Sequence, residues 1–119
     1  MASVIDLLHA NLHRVFGNRD ASTRRTAIDE TFTDDVVFHD PEGSATGRDE
    51  LEAKAASLID DAPTDFVFVE DGIPYIGDDT GALAWTFGPA GAPVARGIDV
   101  ITVRDGRIAE LRTLLTPRP

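Results

Sequence analysis

The hydrophobic pattern changes period once along this chain, near residue 65, and that change restricts the fold more than any motif does. Before it, apolar residues return at helical spacing; after it they alternate, as on a strand with one buried face. Ile5, Leu8, Leu12, Val15 and Phe16 place one stripe on a helix predicted from Ser3 to Phe16 and closed by Gly17-Asn18. Asp20 or Ser22 can cap a second helix by accepting from free backbone N–H groups, with Ala27, Ile28 and Phe32 as its buried stripe. Val36 to Asp40 reads as a first strand, ended by Pro41 and a turn-rich "EGSATG" connection. Thr46 and Asp49 have capping-box spacing, and Leu51, Ala55, Leu58 and Ile59 carry a third helix until Pro63 stops it.

From residue 65 onward "DFVFVE", "IPYI", "ALAWTF", "VARGIDVITV" and "RIAELRTLL" are short runs rich in β-branched and aromatic residues. Asp105-Gly106 between the last two is a hairpin signal, because both residues tolerate positive φ. Helices first and a strand meander after them define an α+β chain with a mainly antiparallel sheet. At 119 residues it is long enough for one core and too short for two, so a single domain over 1–119 is expected.

Charge narrows the partners. A formal net charge of −10 opposes binding to nucleic acid or an anionic membrane surface, both of which are recognised by neutralising phosphates with Lys and Arg. No apolar run approaches a membrane span, and "MASVIDLLHANLHRVFG" lacks a basic region followed by an unbroken apolar stretch. The expectation is a mature cytoplasmic protein. Without any cysteine, disulfides and thiolate metal sites are excluded. His9 and His13 stand four apart, but no acidic third ligand accompanies them in sequence, so neither a metal nor a cofactor is expected.

Two carboxylates sit where propensity disfavours them. Alternation puts Asp40 on the same side of its strand as Val36 and Phe38, leaving His39 on the other. Along Val94 to Val103, Gly97, Asp99, Ile101 and Val103 share one side, and Arg96, Ile98, Val100 and Thr102 the other. Both sides are apolar near the middle, which calls for two covers: the helices for one and a second copy of the chain for the other, hence a homodimer. Asp99 is then either paired with Arg96, Arg104 or Arg112, or lines a cavity with Asp40. Asp40 by itself could simply start an Asx-type turn before Pro41. Two acids in one apolar pocket can be driven apart in pKa, one serving as a base and the other as a hydrogen-bond donor.

The order of "FTDDVVFHDPEG", "TGRDEL" opening a helix, and "ARGIDVITVRDGRIAEL" resembles the nuclear transport factor 2-like superfamily, over nearly the whole chain. Within it the likeness is to the ketosteroid isomerase and SnoaL-like polyketide cyclase branch. The resemblance implies a curved sheet wrapped around the helices as a cone with an apolar cavity, often dimeric through the outer sheet face. It implies a catalytic base at Asp40, in "HDP", and a protonated carboxyl at Asp99, in "GIDVITV", as in ketosteroid isomerase. Phe16, His13, Phe38, Trp85, Phe87 and Ile101 are then the candidate contacts to a small apolar ligand. Phe16 stands where those isomerases place a tyrosine donor, and the only tyrosine here, Tyr75, lies among the strands. Losing one preorganised donor costs on the order of 3 kcal/mol of transition-state stabilisation. That favours a related proton transfer, an aldol-type cyclisation or a hydrolysis over steroid isomerisation. A variant using Arg96 between the two acids to activate water requires a bulge at Gly97 to re-aim the arginine. The reading from a different class is a non-catalytic binding or dimerisation module.

Overall fold

The computed structural model describes residues 2–117. Its first helix, α1 (Val4–His9), starts at a reciprocal cap: Ser3 Oγ accepts from the Asp6 N–H at 3.1 Å, and Asp6 accepts from the Ser3 N–H at 3.2 Å. The chain then widens into a π-helical stretch, Ala10–Phe16, closed by the Gly17 N–H donating to Leu12 O, five residues back, at 2.8 Å. The wider turn brings Asn11, Leu12, Val15 and Phe16 together into the core. Ile5, expected in the buried stripe, is 43% exposed, and Leu7 takes its place.

Helix α2 (Ala21–Thr31) is capped by Asp20, which accepts from the Ser22 and Thr23 N–H groups. Phe32 joins Ala27 and Ile28 in the core, caps the end of α2 with its N–H donating to Ile28 O, and opens strand β1 (Phe32–Asp40) as one of the largest fully buried side chains. The "EGSATG" segment is more than a connection, because Gly43–Thr46 forms β2 and turns back antiparallel on β1. Helix α3 (Arg48–Asp60) has Gly47 as its N-cap, with no side-chain cap. The expected Thr46–Asp49 box does not form; Glu50 instead accepts from the Thr46 N–H at 2.9 Å. Arg19 closes the far end of α3, donating to the carbonyls of Ile59, Ala62, Pro63 and Phe66.

The remaining strands are β3 (Phe66–Glu70), β4 (Tyr75–Ile76), β5 (Thr80–Pro89), β6 (Ala95–Arg104) and β7 (Arg107–Leu115). They form one open sheet in the order β2-β1-β7-β6-β5-β3, with β4 also on β5; every pairing is antiparallel except β1 with β7. Asp105 and Gly106, at φ 55° and 77°, make the β6–β7 turn as expected. The three helices cover one face, where Leu8, Ile28, Leu51, Ile101, Ile108 and Leu111 are buried. On the outer face Ile98 and Val100 stay partly exposed, with Leu114, 50% exposed, paired beside Ile98.

Gly97 is a point of close approach. A Cβ there would lie 2.5 Å from Trp85 Cζ2 and 2.8 Å from the Leu114 carbonyl oxygen, so any side chain displaces the indole. Gly97→Ala is expected to cost about 1–3 kcal/mol in urea denaturation and to shift the fluorescence of Trp85, the only tryptophan. An unchanged midpoint and spectrum would show that the indole has room to move.

Candidate active site

Where the helices fail to cover the sheet completely, a cavity of about 260 Å³ remains. Its apolar wall is built by Leu12 and Phe16 from the π-helical stretch, Phe38 from β1, Leu58 from α3, Phe68 from β3 and Trp85 from β5. Phe16 and Phe38 are tilted against each other at 5.5 Å between ring centroids, and Phe68 meets Trp85 edge-on at 5.2 Å. Four polar side chains reach this space: Asp40, Glu42, Asp99 and Thr113. Of the eight residues singled out from sequence, Asp40, Asp99, Phe16, Phe38 and Trp85 line it.

The other three do not. Phe87 stacks at 4.3 Å behind Phe68, Ile101 lies fully buried in the core, and His13 lines a separate groove. His13 there donates to the Glu70 carboxylate at 2.7 Å, and His9 reaches the same oxygen at 3.1 Å. His39 lies on the other side of β1, 3.3 Å from Glu110.

Asp99 projects from the middle of β6 and is 5% exposed. Among the described residues it has no arginine partner: Arg96 pairs with Asp71, Arg104 with Asp35, and Arg112 stands opposite Val100 on the outer side. The β5–β6 register runs unbroken past Gly97, so no bulge turns Arg96 inward. Neutral donors hold the carboxylate instead, Asn11 Nδ2 at 2.9 Å and Thr113 Oγ1 at 2.7 Å. Burial pushes its pKa up from 3.8 to about 6, against the opposing pull of Thr113, Trp85 and Asn11. Trp85 lies close enough to contribute, but its buried indole N–H does not reach hydrogen-bond geometry. Asn11 Oδ1 is likewise buried without a donor. Turning that amide over would let a protonated Asp99 donate to it, so the same pair can serve both protonation states.

Asp40 is different in kind. Its Oδ1 accepts from the Glu42 N–H at 2.9 Å, which is the Asx-type turn expected before Pro41, while its Oδ2 lies 3.0 Å from Lys54 Nζ. The side chain is 15% exposed, at the cavity mouth. Lys54, the only lysine in the chain, also reaches Glu42 at 3.1 Å. Asp40 first, and Glu42 less so, hold its ammonium above the ordinary lysine value, against partial desolvation. A shallower depression carries the mouth outward past Lys54, Ser57 and Asp61.

Three helices packed on one face of a mixed, mostly antiparallel open sheet give the chain the cystatin-like, nuclear transport factor 2-like fold. The chain belongs to the SnoaL-like domain family, which matches residues 10–111. Among solved structures, it is similar to a candidate isomerase of the SnoaL-like family from Agrobacterium tumefaciens, with 22% identity, TM-score 0.87, and coverage of 98% of this chain and 99% of that one. A candidate SnoaL-like polyketide cyclase from Jannaschia sp. CCS1 aligns at 15% identity and TM-score 0.76, covering 93% and 83%. A candidate ketosteroid isomerase from Kribbella flavida aligns at 13% and 0.71, covering 95% and 77%. At these identities the likeness concerns the fold. No curated protein matches the chain by sequence.

The raised pKa of Asp99 sets the sign of a pH effect. Folded Asp99 keeps its proton up to about pH 6, whereas the unfolded chain releases it near 3.8, so this group's contribution falls as pH rises between those values. The loss amounts to about 3 kcal/mol. Asp99→Asn removes the titration, so its stability minus that of the wild type should rise from pH 4 to pH 7 and then level off. Denaturant titrations across that range read the difference; a flat difference means that Asp99 titrates normally.

Proposed function

We propose that this protein is a cofactor-free acid–base enzyme acting on a small apolar carbonyl compound held in the cavity. One observation carries the reading: Asp99, a carboxyl held by the neutral donors Asn11 and Thr113, lies on the wall of an apolar cavity whose mouth holds a second acid, Asp40. Asp40 takes a proton from the carbon next to the carbonyl, the electron pair moves onto oxygen, and the protonated Asp99 donates a hydrogen bond to that oxygen. Asp40 then returns the proton to the same carbon or to another. A bound apolar molecule strips the remaining water from Asp99 and pushes its pKa further up, favouring the donor form. Lys54 and the Glu42 N–H orient Asp40 while leaving acceptor positions on its carboxylate free. Phe16 offers no second donor to the oxygen, which points away from rapid steroid isomerisation and toward isomerase- or cyclase-type proton transfers that rely on it less.

A second reading, a passive binding module, is favoured by the engagement of Asp40 in an ion pair and a turn. Under either reading we place the protein in the cytoplasm as a homodimer, with neither nucleic acid nor membrane as partner. The support is the absence of cysteine, the net charge of −10 and the apolar patch on the outer sheet face. Among the described residues no helix is long and apolar enough to cross a membrane.

The test is proton exchange at the carbon next to the carbonyl of a small cyclic ketone in deuterated water, followed by NMR. The wild type should accelerate exchange, and Asp40→Asn should lower the rate about a hundredfold or more while ligand affinity stays within a few-fold. A ketone that binds without exchanging supports the passive module. Exchange unaffected by Asp40→Asn would falsify the role of that residue.

A further inference from the structure

Outside the cavity, folding brings together three side chains that the sequence keeps far apart. His9 and His13 lie on consecutive turns of the first helical segment, their rings stacked at 6.3 Å between centroids and 11° between planes. Glu70, 57 residues beyond His13, ends β3 directly beneath them. His9 Nδ1 and His13 Nε2 converge on the same oxygen, Glu70 Oε2, at 3.1 and 2.7 Å, and the three ligand atoms lie within 4.8 Å of one another.

We propose that His9 Nδ1, His13 Nε2 and the Glu70 carboxylate bind a divalent transition metal, with zinc the best fit. Two imidazoles and one carboxylate suit zinc and its neighbours, whereas calcium and magnesium call for oxygen ligands throughout. A tetrahedral zinc with bonds of about 2.0–2.2 Å needs donor atoms about 3.3 Å apart. The His9–Glu70 separation already fits this, and the shorter His13–Glu70 contact has to open by only part of an ångström. All three side chains are a third to a half exposed, so a metal can enter from solvent and water can complete its coordination.

The metal would clip the helix to the sheet edge. Among the described strands β3 pairs only with β5, and Phe68, two residues before Glu70, lines the cavity. A bound ion would thus brace one wall of the pocket from outside it. The site stands independently of any reaction in the cavity, because none of its three ligands lines that space.

Titration of the intact chain with zinc, read by calorimetry, should show one saturable equivalent and a rise in the thermal midpoint. His9→Ala/His13→Ala and, separately, Glu70→Gln should each weaken binding by about tenfold or more and cancel that rise. A cobalt(II) titration of the wild type gives a readout that needs no variant: intense visible bands report the four-coordinate site proposed here, while weak bands report six-coordinate cobalt held loosely by water. No saturable equivalent, zinc binding undiminished in the double variant, or a six-coordinate cobalt spectrum would each overturn the proposal.

Discussion

A carboxyl group held in the middle of a sheet by neutral donors is the constraint around which this molecule is arranged. Removing Asp99 from water is costly, and two neutral donors from different elements offset that cost. One of them, Asn11, sits in the π-helical stretch, so satisfying Asp99 fixes how the first helical segment lies on β6. The other, Thr113, comes from the adjacent strand β7 and fixes the carboxylate within the plane of the sheet. The wider helical turn has a reason in this arrangement, since it turns a polar Asn11 and an apolar Leu12 into the core side by side.

The two acids illustrate how environment divides one residue type into two kinds of group. Asp99 is surrounded by donors that can rotate or turn over, and its proton is only weakly held off. Asp40 faces a fixed ammonium and a backbone N–H, which keep its position well defined. Placed on one apolar cavity, they give it one end lined by neutral donors and another anchored by an ammonium and a backbone N–H. Such polarity orients any guest with a single polar group, whatever happens to it afterwards.

Much of the fold was legible because it rests on local chemistry. Asp20 capping α2, Asp105-Gly106 turning β6 into β7, and the shared side of Val36, Phe38 and Asp40 all follow from spacing and backbone preference. Strand β2 was not, since Gly43, Ser44, Ala45 and Thr46 carry little strand propensity and are held by pairing with β1. Nor does helical periodicity distinguish a π-turn from an α-turn over seven residues, so the spacing points to Ile5 where the structure buries Leu7. Partners separated by long stretches of chain were the least visible: Asn11 lies 88 residues from Asp99, and Glu70 61 residues from His9. Lys54 had a usable signal. It falls three after Leu51 and four before Leu58, on the side of α3 that borders the cavity mouth.

The single parallel pairing in the sheet bears on how the molecule comes into being. Strand β1 has no neighbour on its inner side until β7 inserts between it and β6, so the sheet is two separate pieces until the last strand has been made. On a ribosome α2 and α3 can pack on the β1–β2 hairpin early, but the hairpin stays unjoined to the rest of the sheet while some 60 further residues are translated. Because Thr113 belongs to that late strand, Asp99 gains its second donor at the same moment as the sheet closes. Assembly of the pocket's chemistry and completion of the fold are therefore one event, and a half-made chain carries neither.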